Sequence, residues 1–325
     1  MTCSVYAPAS IGNVGVGFDL LGAAVSPIDG SLLGDVVSIV ATDPDDFQLS
    51  LTGPYKTSLP EDRRSNVVYQ CCHYFRNALQ KTGLSVAFLS LNLEKNLPVG
   101  SGLGSSATSI VATLHALNVY FELPFSAREL LTMMGHFEGQ ISGSVHYDNV
   151  APCYLGGLQL MTGDDDICQS LPVPSDWYWV MAYSGVNVST KMAREVLPKQ
   201  LDLATGIEYA RNLAVFVDSL HRQDWSKAAA SVNDPVAEPH RKGLLPGFNQ
   251  ATQKLTEAGV LTCGISGSGP TLFAIADTLE KAQQFKQILD DNYIQNVNGF
   301  CTICHIDLQG TRVIESVETA KEVNQ

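Results

Sequence analysis

Residues 97–109 read Leu-Pro-Val-Gly-Ser-Gly-Leu-Gly-Ser-Ser-Ala-Thr-Ser, with glycine at 100, 102 and 104 and then a run of hydroxyl side chains. Closely spaced glycines let a backbone turn sharply and approach a guest, and the usual guest is a phosphate. Neither of the two best-known phosphate loops is spelled here. A Walker loop places Lys after its last glycine, where this chain has Ser105; a dinucleotide loop needs G-x-G-x-x-G, and the spacing here is G-x-G-x-G. Downstream, Ala107, Ile110, Val111, Leu114, Leu117 and Phe121 recur at helical spacing. The loop therefore ends at the start of a helix over 107–121, with Ser105 or Ser106 near the cap, where amide groups and the helix dipole favour an anion. A hydroxyl just behind such a loop is also an oxygen ligand of the kind Mg²⁺ takes. A glycine-rich turn without a ligand fits the same residues, so the remainder of the chain has to decide.

Three further segments bear on it. A helix is expected from Ser126, where Ser126 and Glu129 form a capping box. On it Ala127, Leu130, Leu131 and Met134 make an apolar stripe that Glu138 continues at i+4. A carboxylate on a core-facing stripe near a helix C-terminus is costly unless a cation is beside it; the alternative is a frayed end that carries Glu138 into solvent. The next segment gathers His146, Asp148 and Asn149 between glycine and proline, which suits either a site on a loop or a turn held by Asx hydrogen bonds. A metal cluster there is disfavoured, because no second histidine stands at ligand spacing. Lastly, G-I-S-G-S-G-P-T at 264–271 lies between two apolar strands and carries more Gly and Ser than a two-residue hairpin requires.

Composition excludes several classes. The chain has 325 residues, 45% hydrophobic and 16% charged, and a net charge of −13 from 33 acidic and 20 basic side chains. That balance argues against nucleic acid or an anionic membrane as partner, while a polyanion such as a nucleotide remains bindable through local amides, arginines or a metal. Neither a basic, apolar leader nor a run of 18 apolar residues is present, and the eight cysteines fall mostly in apolar stretches; a cytoplasmic protein is expected. Cys301-Thr-Ile-Cys304-His305 matches a haem-attachment pattern, but with no export signal and with β-branched and aromatic neighbours it reads as a strand.

Strands are expected at 36–41, 48–52 and 86–93, and a helix at 67–79; after 155–161 the pattern shifts. The acidic turn at 163–166 and the L-P-V-P segment at 171–174 mark a division of the chain, placed at 1–165 and 166–325. The second half reads as strands at 177–183, 260–265, 271–276 and 300–307, with helices at about 190–197, 203–222, 225–232, 247–258 and 279–290. Strands and helices interleave without a regular βαβ rhythm, so the fold class is α+β rather than doubly wound.

Taken together, these segments resemble the GHMP small-molecule kinases. A-P-A-S-I-G-N-V-G-V-G-F-D (7–19) is similar to their first motif, Pro98 to Ala107 matches every fixed position of P-x-x-x-G-L-G-S-S-A, and 264–271 is similar to their third motif. G-F-D-L-L-G, E-x-x-I-S-G-S-V-H-Y-D-N-V-A-P, V-S-T-K-M-A-R-E-V-L-P and E-P-H-R-K-G-L-L-P-G-F resemble the homoserine-kinase branch of that superfamily across almost the whole chain. The resemblance implies a ribosomal-protein-S5-like first half, a ferredoxin-like second half and an active site in the cleft between them. It implies ATP wrapped by Pro98, Val99, Gly100, Ser101, Gly102, Leu103, Gly104, Ser105 and Ser106, with Asn66 and Lys95 on the nucleotide side. It further implies Mg²⁺ on Ser106 and Glu138. Asn13, Asp19, His146, Asn149, Thr190, Arg194 and Arg241 match positions around an amino-acid acceptor, L-homoserine, with Asn149, Asp19 and Arg194 closest to the chemistry.

Two arginines can fork onto an α-carboxylate, while Asp19 or Asn13 holds the ammonium or hydroxyl. Phosphoryl transfer needs alignment and charge neutralisation above all. Whether Asp148, Asp19 or no residue serves as base stays open, with no strong base preferred and Asn149 as a positioning group. A mevalonate-type or sugar kinase, and a non-catalytic nucleotide or amino-acid sensor, are the alternatives. Relatives of this kind are often homodimers, and the sequence itself fixes no oligomeric state.

Overall fold

The chain opens with strands β1 (Thr2–Gly12), β2 (Leu21–Pro27), β3 (Gly34–Val40) and β4 (Gln48–Thr52), then helix α1 (Val67–Lys81) and strand β5 (Ser90–Glu94). Helices α2 (Ser105–Tyr120), α3 (Ala127–Ser142) and α4 (Val150–Leu155) follow, before β6 (Leu158–Met161), β7 (Cys168–Leu171) and β8 (Tyr178–Tyr183). Five helices come next: α5 (Thr190–Glu195), α6 (Leu203–His221), α7 (Trp225–Ser231), α8 (Glu238–Arg241) and α9 (Phe248–Glu257). The chain closes with β9 (Thr262–Ile265), β10 (Thr271–Ala276), α10 (Leu279–Asn292), β11 (Phe300–Ile306) and β12 (Arg312–Val317). This computed structural model describes residues 2–40, 45–84, 87–142, 145–163 and 166–317.

One mixed sheet runs through both halves in the order β4-β5-β3-β1-β2-β11-β8-β10-β9. The first part of β1 pairs antiparallel with β3 on one side and β12 on the other (Val5 opposite Val37 and Val313); from Ala9 it pairs with β2. Strand β11 then bridges β2 and β8, with His305 opposite Ser26 and Thr302 opposite Met181. The C-terminal strands are thus built into the N-terminal sheet. The expected division at 165/166 falls between β6 and β7, which pair with each other as a hairpin (Leu160 opposite Gln169); residues 164–165 lie outside the described residues.

Helices cover the sheet in separate groups, as α+β architecture requires. Val5, Val37, Ile39, Leu91 and Leu93 pack against Phe75, Ile110, Leu114 and Met134 of α1–α3. Ile11, Val25, Trp179 and Phe273 meet Phe216, Leu220 and Ala228 of α6 and α7. Helices α9 and α10 bury Leu255, Phe285 and Leu289 against Val180 and Leu272. Among these helices α2 differs in kind. From Ser105 to Asn118 its buried residues lie on every side, so it is a core helix and a rigid base for whatever its N-terminus presents.

The expected helices and the capping box are present: Glu129 Oε2 accepts from Ser126 N at 2.8 Å and from Ser126 Oγ at 2.7 Å. The 300–307 segment is β11, a strand as read. Strand β5 begins at Ser90 rather than 86; Ala41 and Val86 lie outside the described residues. Strands β1, β2, β6, β7 and β12 go beyond the expectation. Among the described residues no helix is long and apolar enough to cross a membrane.

Candidate active site

The glycines at 100, 102 and 104 all take left-handed backbone, with φ of 69°, 79° and 68°. Helix α2 starts at Ser105, so Gly104 is the cap and neither Ser105 nor Ser106 is. The reason is conformational: a left-handed cap is cheap only for glycine, and having no side chain it leaves the first-turn amides uncovered. Ser105 Oγ instead donates to Leu97 O at 3.2 Å, closing the loop's base. The carbonyls of residues 100–103 are bound from behind. Gly100 O accepts from Val188 N (3.3 Å), Leu103 O from Ser10 N (3.1 Å) and Ser101 O from Thr271 N (3.0 Å) and Thr271 Oγ1 (2.7 Å). Gly102 O accepts from Ser266 Oγ at 2.6 Å. With these oxygens engaged, residues 100–103 turn their carbonyls away from an anion. The segment between β9 and β10 is therefore a clamp on the loop as well as a turn.

The same clamp organises the opposite wall. Asn13, Val14 and Gly15 form a left-handed run (φ 69°, 47° and 70°), and Asp19 is left-handed at 58°. A β-branched residue at positive φ is a genuine outlier, and such strain gathers where surrounding structure holds a site. Asn13 Nδ2 donates to Gly267 O (3.1 Å) and Asn13 Oδ1 accepts from Asp19 N (2.9 Å). Both ends of its amide are engaged, so Asn13 fixes Asp19 in place, and Asp19 is the group left to meet a ligand. Asp19 is held bidentately by Arg194 (2.9 and 3.3 Å), with His146 Nδ1 at 3.5 Å from its carboxylate. Arg241, only 3% exposed, donates from Nε to Ala193 O (3.0 Å) and from Nη1 to Gly267 O (2.9 Å). The Phe18 ring lies 5.9 Å from the Arg194 guanidinium and 5.1 Å from that of Arg241. Asn149 accepts from Ser10 Oγ (2.9 Å) and donates to Asp148 (3.3 Å), which sets it beside Gly104.

A cavity of about 570 Å³ separates the loop from this wall, and Thr190 at the start of α5 stands on its rim. Every candidate named from sequence borders it except Pro98 and Leu103. Those two are buried, Leu103 in the core beneath, and anchor the loop without facing a ligand. Asn66 caps α1 through Oδ1 (2.9 Å to Val68 N), and its buried Nδ2 has no protein partner, a donor left for a guest. Lys95 borders the cavity on the loop's side, with its ammonium turned inward. Its Nζ donates to Asp35, Ser105 O (2.6 Å) and Ser109 Oγ (3.0 Å), so all three ammonium donors serve the protein itself. Sequence reading overlooked Asp35, Phe18 and Asn187; the available signal for Asp35 was a carboxylate in the otherwise apolar strand G-D-V-V-S-I-V.

Three carboxylates, Asp19, Glu138 and Asp148, share the cavity with Arg194 and Arg241. Burial pushes Glu138 up to about 7, against the opposing pull of the Ser106 hydroxyl and Arg194. Burial, and then the charges of Asp19 and Glu138, push Asp148 up to about 7, with Arg194 opposing. His146 is lowered by burial, with Asp19 pulling the other way. The Glu138 Oε2 atom is out of solvent, which settles the frayed-end alternative. A hydroxyl and a carboxylate facing one another, with Asp19 and Asp148 in the same cavity, fit a hard divalent cation. Among the described residues no three His, Cys, Asp or Glu side chains cluster at ligating distance. Two protein oxygens plus phosphate oxygens is how Mg²⁺ is commonly held.

Comparison with known proteins agrees with this geometry. The family model described as GHMP kinases N terminal domain matches residues 66–157, and that described as GHMP kinases C terminal matches 216–295. The crystal structure of homoserine kinase from Cytophaga hutchinsonii is similar at 34% identity and a TM-score of 0.87, over 96% of this chain and 97% of that one. A candidate homoserine kinase from Listeria monocytogenes shares the fold at 19% identity (TM-score 0.70, 97% and 100% covered). So does mevalonate diphosphate decarboxylase from Staphylococcus aureus at 13% (TM-score 0.67, 97% and 98% covered). A left-handed glycine loop opening a core helix, matched family models over both halves and a full-length relative above 30% identity lead to one conclusion: the chain belongs to the GHMP kinases, a family of small-molecule kinases that use ATP.

Proposed function

We propose that the chain is a homoserine kinase of the cytoplasm. It transfers the γ-phosphoryl group of ATP to the side-chain hydroxyl of L-homoserine, giving O-phospho-L-homoserine on the way to threonine. The observation that carries the acceptor is the Asp19–Arg194 ion pair on the cavity wall. A zwitterion replaces both halves of that pair at once. Its α-carboxylate takes the guanidiniums of Arg194 and Arg241, and its ammonium takes Asp19. Mevalonate has no ammonium, so its carboxylate would draw Arg194 off Asp19 and leave Asp19 without a cation in its place; a sugar carries neither charge and would leave the pair bonded to itself, unused in recognition. The homoserine kinase of Cytophaga hutchinsonii, 34% identical, supports the same reading.

Chemistry then follows from position. The first-turn amides of α2 hold phosphate oxygens, and the Asn66 amide donates on the nucleotide side. Ser106 and Glu138 would hold Mg²⁺, which when bound would supply charge neutralisation to the transferring phosphoryl group. Asn149, itself fixed by Ser10 and Asp148, aligns the acceptor hydroxyl, and no strong base is required for a loose transition state. An ADP-release assay across homoserine, mevalonate, galactose and shikimate tests the proposal. Turnover with homoserine alone is expected. Turnover confined to another acceptor overturns it, and nucleotide binding with no turnover on any acceptor favours the sensor reading.

A further inference from the structure

Behind the phosphate loop lies a buried charge that phosphoryl transfer does not touch. Asp35, at the head of β3, is fully buried and off the cavity wall. Its Oδ1 accepts from the amides of Asn96 (3.0 Å) and Leu97 (3.3 Å), the last two residues before Pro98. Its Oδ2 accepts from Lys95 Nζ, from Thr108 Oγ1 at 2.7 Å and from Ser109 Oγ at 2.7 Å, in the first turns of α2. One carboxylate therefore grips the incoming and the outgoing end of the glycine loop. Lys95 tightens the grip through Ser105 O, the carbonyl of the first residue of α2.

We infer that Asp35 is a positioning residue for the phosphate loop, setting the first-turn amides of α2 through Lys95, Thr108 and Ser109 without touching the nucleotide. This rests on the reading of the loop as the phosphate site. Among the described residues every bond of the Asp35 carboxylate falls in 95–97 or 105–109, the two flanks of the loop; a pair serving only general stability has no reason to converge there. The geometry also explains the lysine. A lone carboxylate behind an anion site would oppose the phosphates, and Lys95 cancels that charge while leaving the carboxylate oxygens free to accept. Removing Lys95 alone should thus be worse for nucleotide binding than removing both charges.

The test compares wild type with three variants: T108V/S109A, which removes two donors and keeps the ion pair; K95M; and D35N/K95M, which keeps an acceptor for the Asn96 and Leu97 amides. ADP affinity by calorimetry, KM for ATP and for the acceptor, and thermal midpoint are measured for each. T108V/S109A is expected to weaken ADP binding and raise the ATP KM about tenfold, the effect of about 1.4 kcal/mol, with the acceptor KM within about twofold of wild type. K95M is expected to weaken ADP binding further, and D35N/K95M to recover part of that loss. Folded variants with unchanged ADP affinity overturn the inference. So does a proportional rise in both KM values alongside a lower thermal midpoint, which marks a merely structural role. Wild-type protein that binds no ADP overturns instead the phosphate-site reading beneath it.

Discussion

Replacing Gly102 with alanine probes how tightly the phosphate loop and its clamp are coupled. Gly102 sits at φ 79°, and a Cβ there would stand 2.5 Å from Ser266 O, 2.8 Å from Gly269 O and 2.9 Å from Gly269 C. All three atoms are backbone, so none can swing aside. Two costs add: left-handed backbone costs alanine about 1–2 kcal/mol, and forcing a dense site apart costs about 1–3 kcal/mol. Gly259 separates them. It has the same φ of 79°, but a Cβ there meets nothing within 4 Å, so G259A carries only the backbone cost. Urea unfolding should place G259A about 1–2 kcal/mol below wild type, and G102A about 1–3 kcal/mol lower again. Function should divide the same way. Gly267 O, in the clamp that Gly102 would push, holds both Asn13 and Arg241. G102A should therefore raise the KM of ATP and of the acceptor together, and G259A neither. Equal destabilisation of the two variants with unaltered kinetics would refute the reasoning.

E138Q should raise the Mg²⁺ concentration for half-maximal turnover by about 10- to 100-fold, the effect of losing one charged contact; an unchanged Mg²⁺ dependence removes Glu138 from the metal site. R194M takes away the bidentate partner of Asp19 and should raise the acceptor KM by about 100-fold while leaving ADP affinity near wild type, so equal losses on both sides count against an acceptor-specific role. Glu238 is pushed from 4.5 up to about 7 by burial and by Asp234. A carboxyl raised in the folded state contributes stability that is full in acid and lost as pH climbs through about 7, a loss of up to about 3 kcal/mol. E238Q should accordingly raise the thermal midpoint near pH 8.5 and not near pH 5, and a gain independent of pH contradicts the assignment.

Helices declared themselves in the sequence where amphipathic spacing met a capping signal, as at Ser126 and Glu129. Strand β1 did not, because it is buried on both faces and so lacks alternation, and because Pro8 sits within it. The loop at 97–109, the segment at 264–271 and Glu138 could be singled out one by one, since each breaks a local rule. Their meeting in space could not. That Asn13, which holds Asp19 six residues on, is itself held by Gly267, and that Ser266 serves Gly102, depends on partners 254 and 164 residues apart in sequence. Lys95 is the instructive case. A lysine just ahead of a glycine loop suggests a phosphate contact, and only the partner 60 residues upstream reveals where its charge is neutralised.

The placement of β12 against β1 has a consequence for the nascent chain. Val5 finds its partner Val313 only after some 300 further residues have been made. At about 5–20 residues per second, a ribosome leaves one edge of β1 waiting for roughly 15–60 s. Strand β1 also supports the glycine loop, through Ser10 N and Leu103 O. Nucleotide arriving before synthesis ends thus meets a loop whose supporting strand still has an open flank. An open strand edge invites pairing with other chains, so this is the interval in which a chaperone has most to shield.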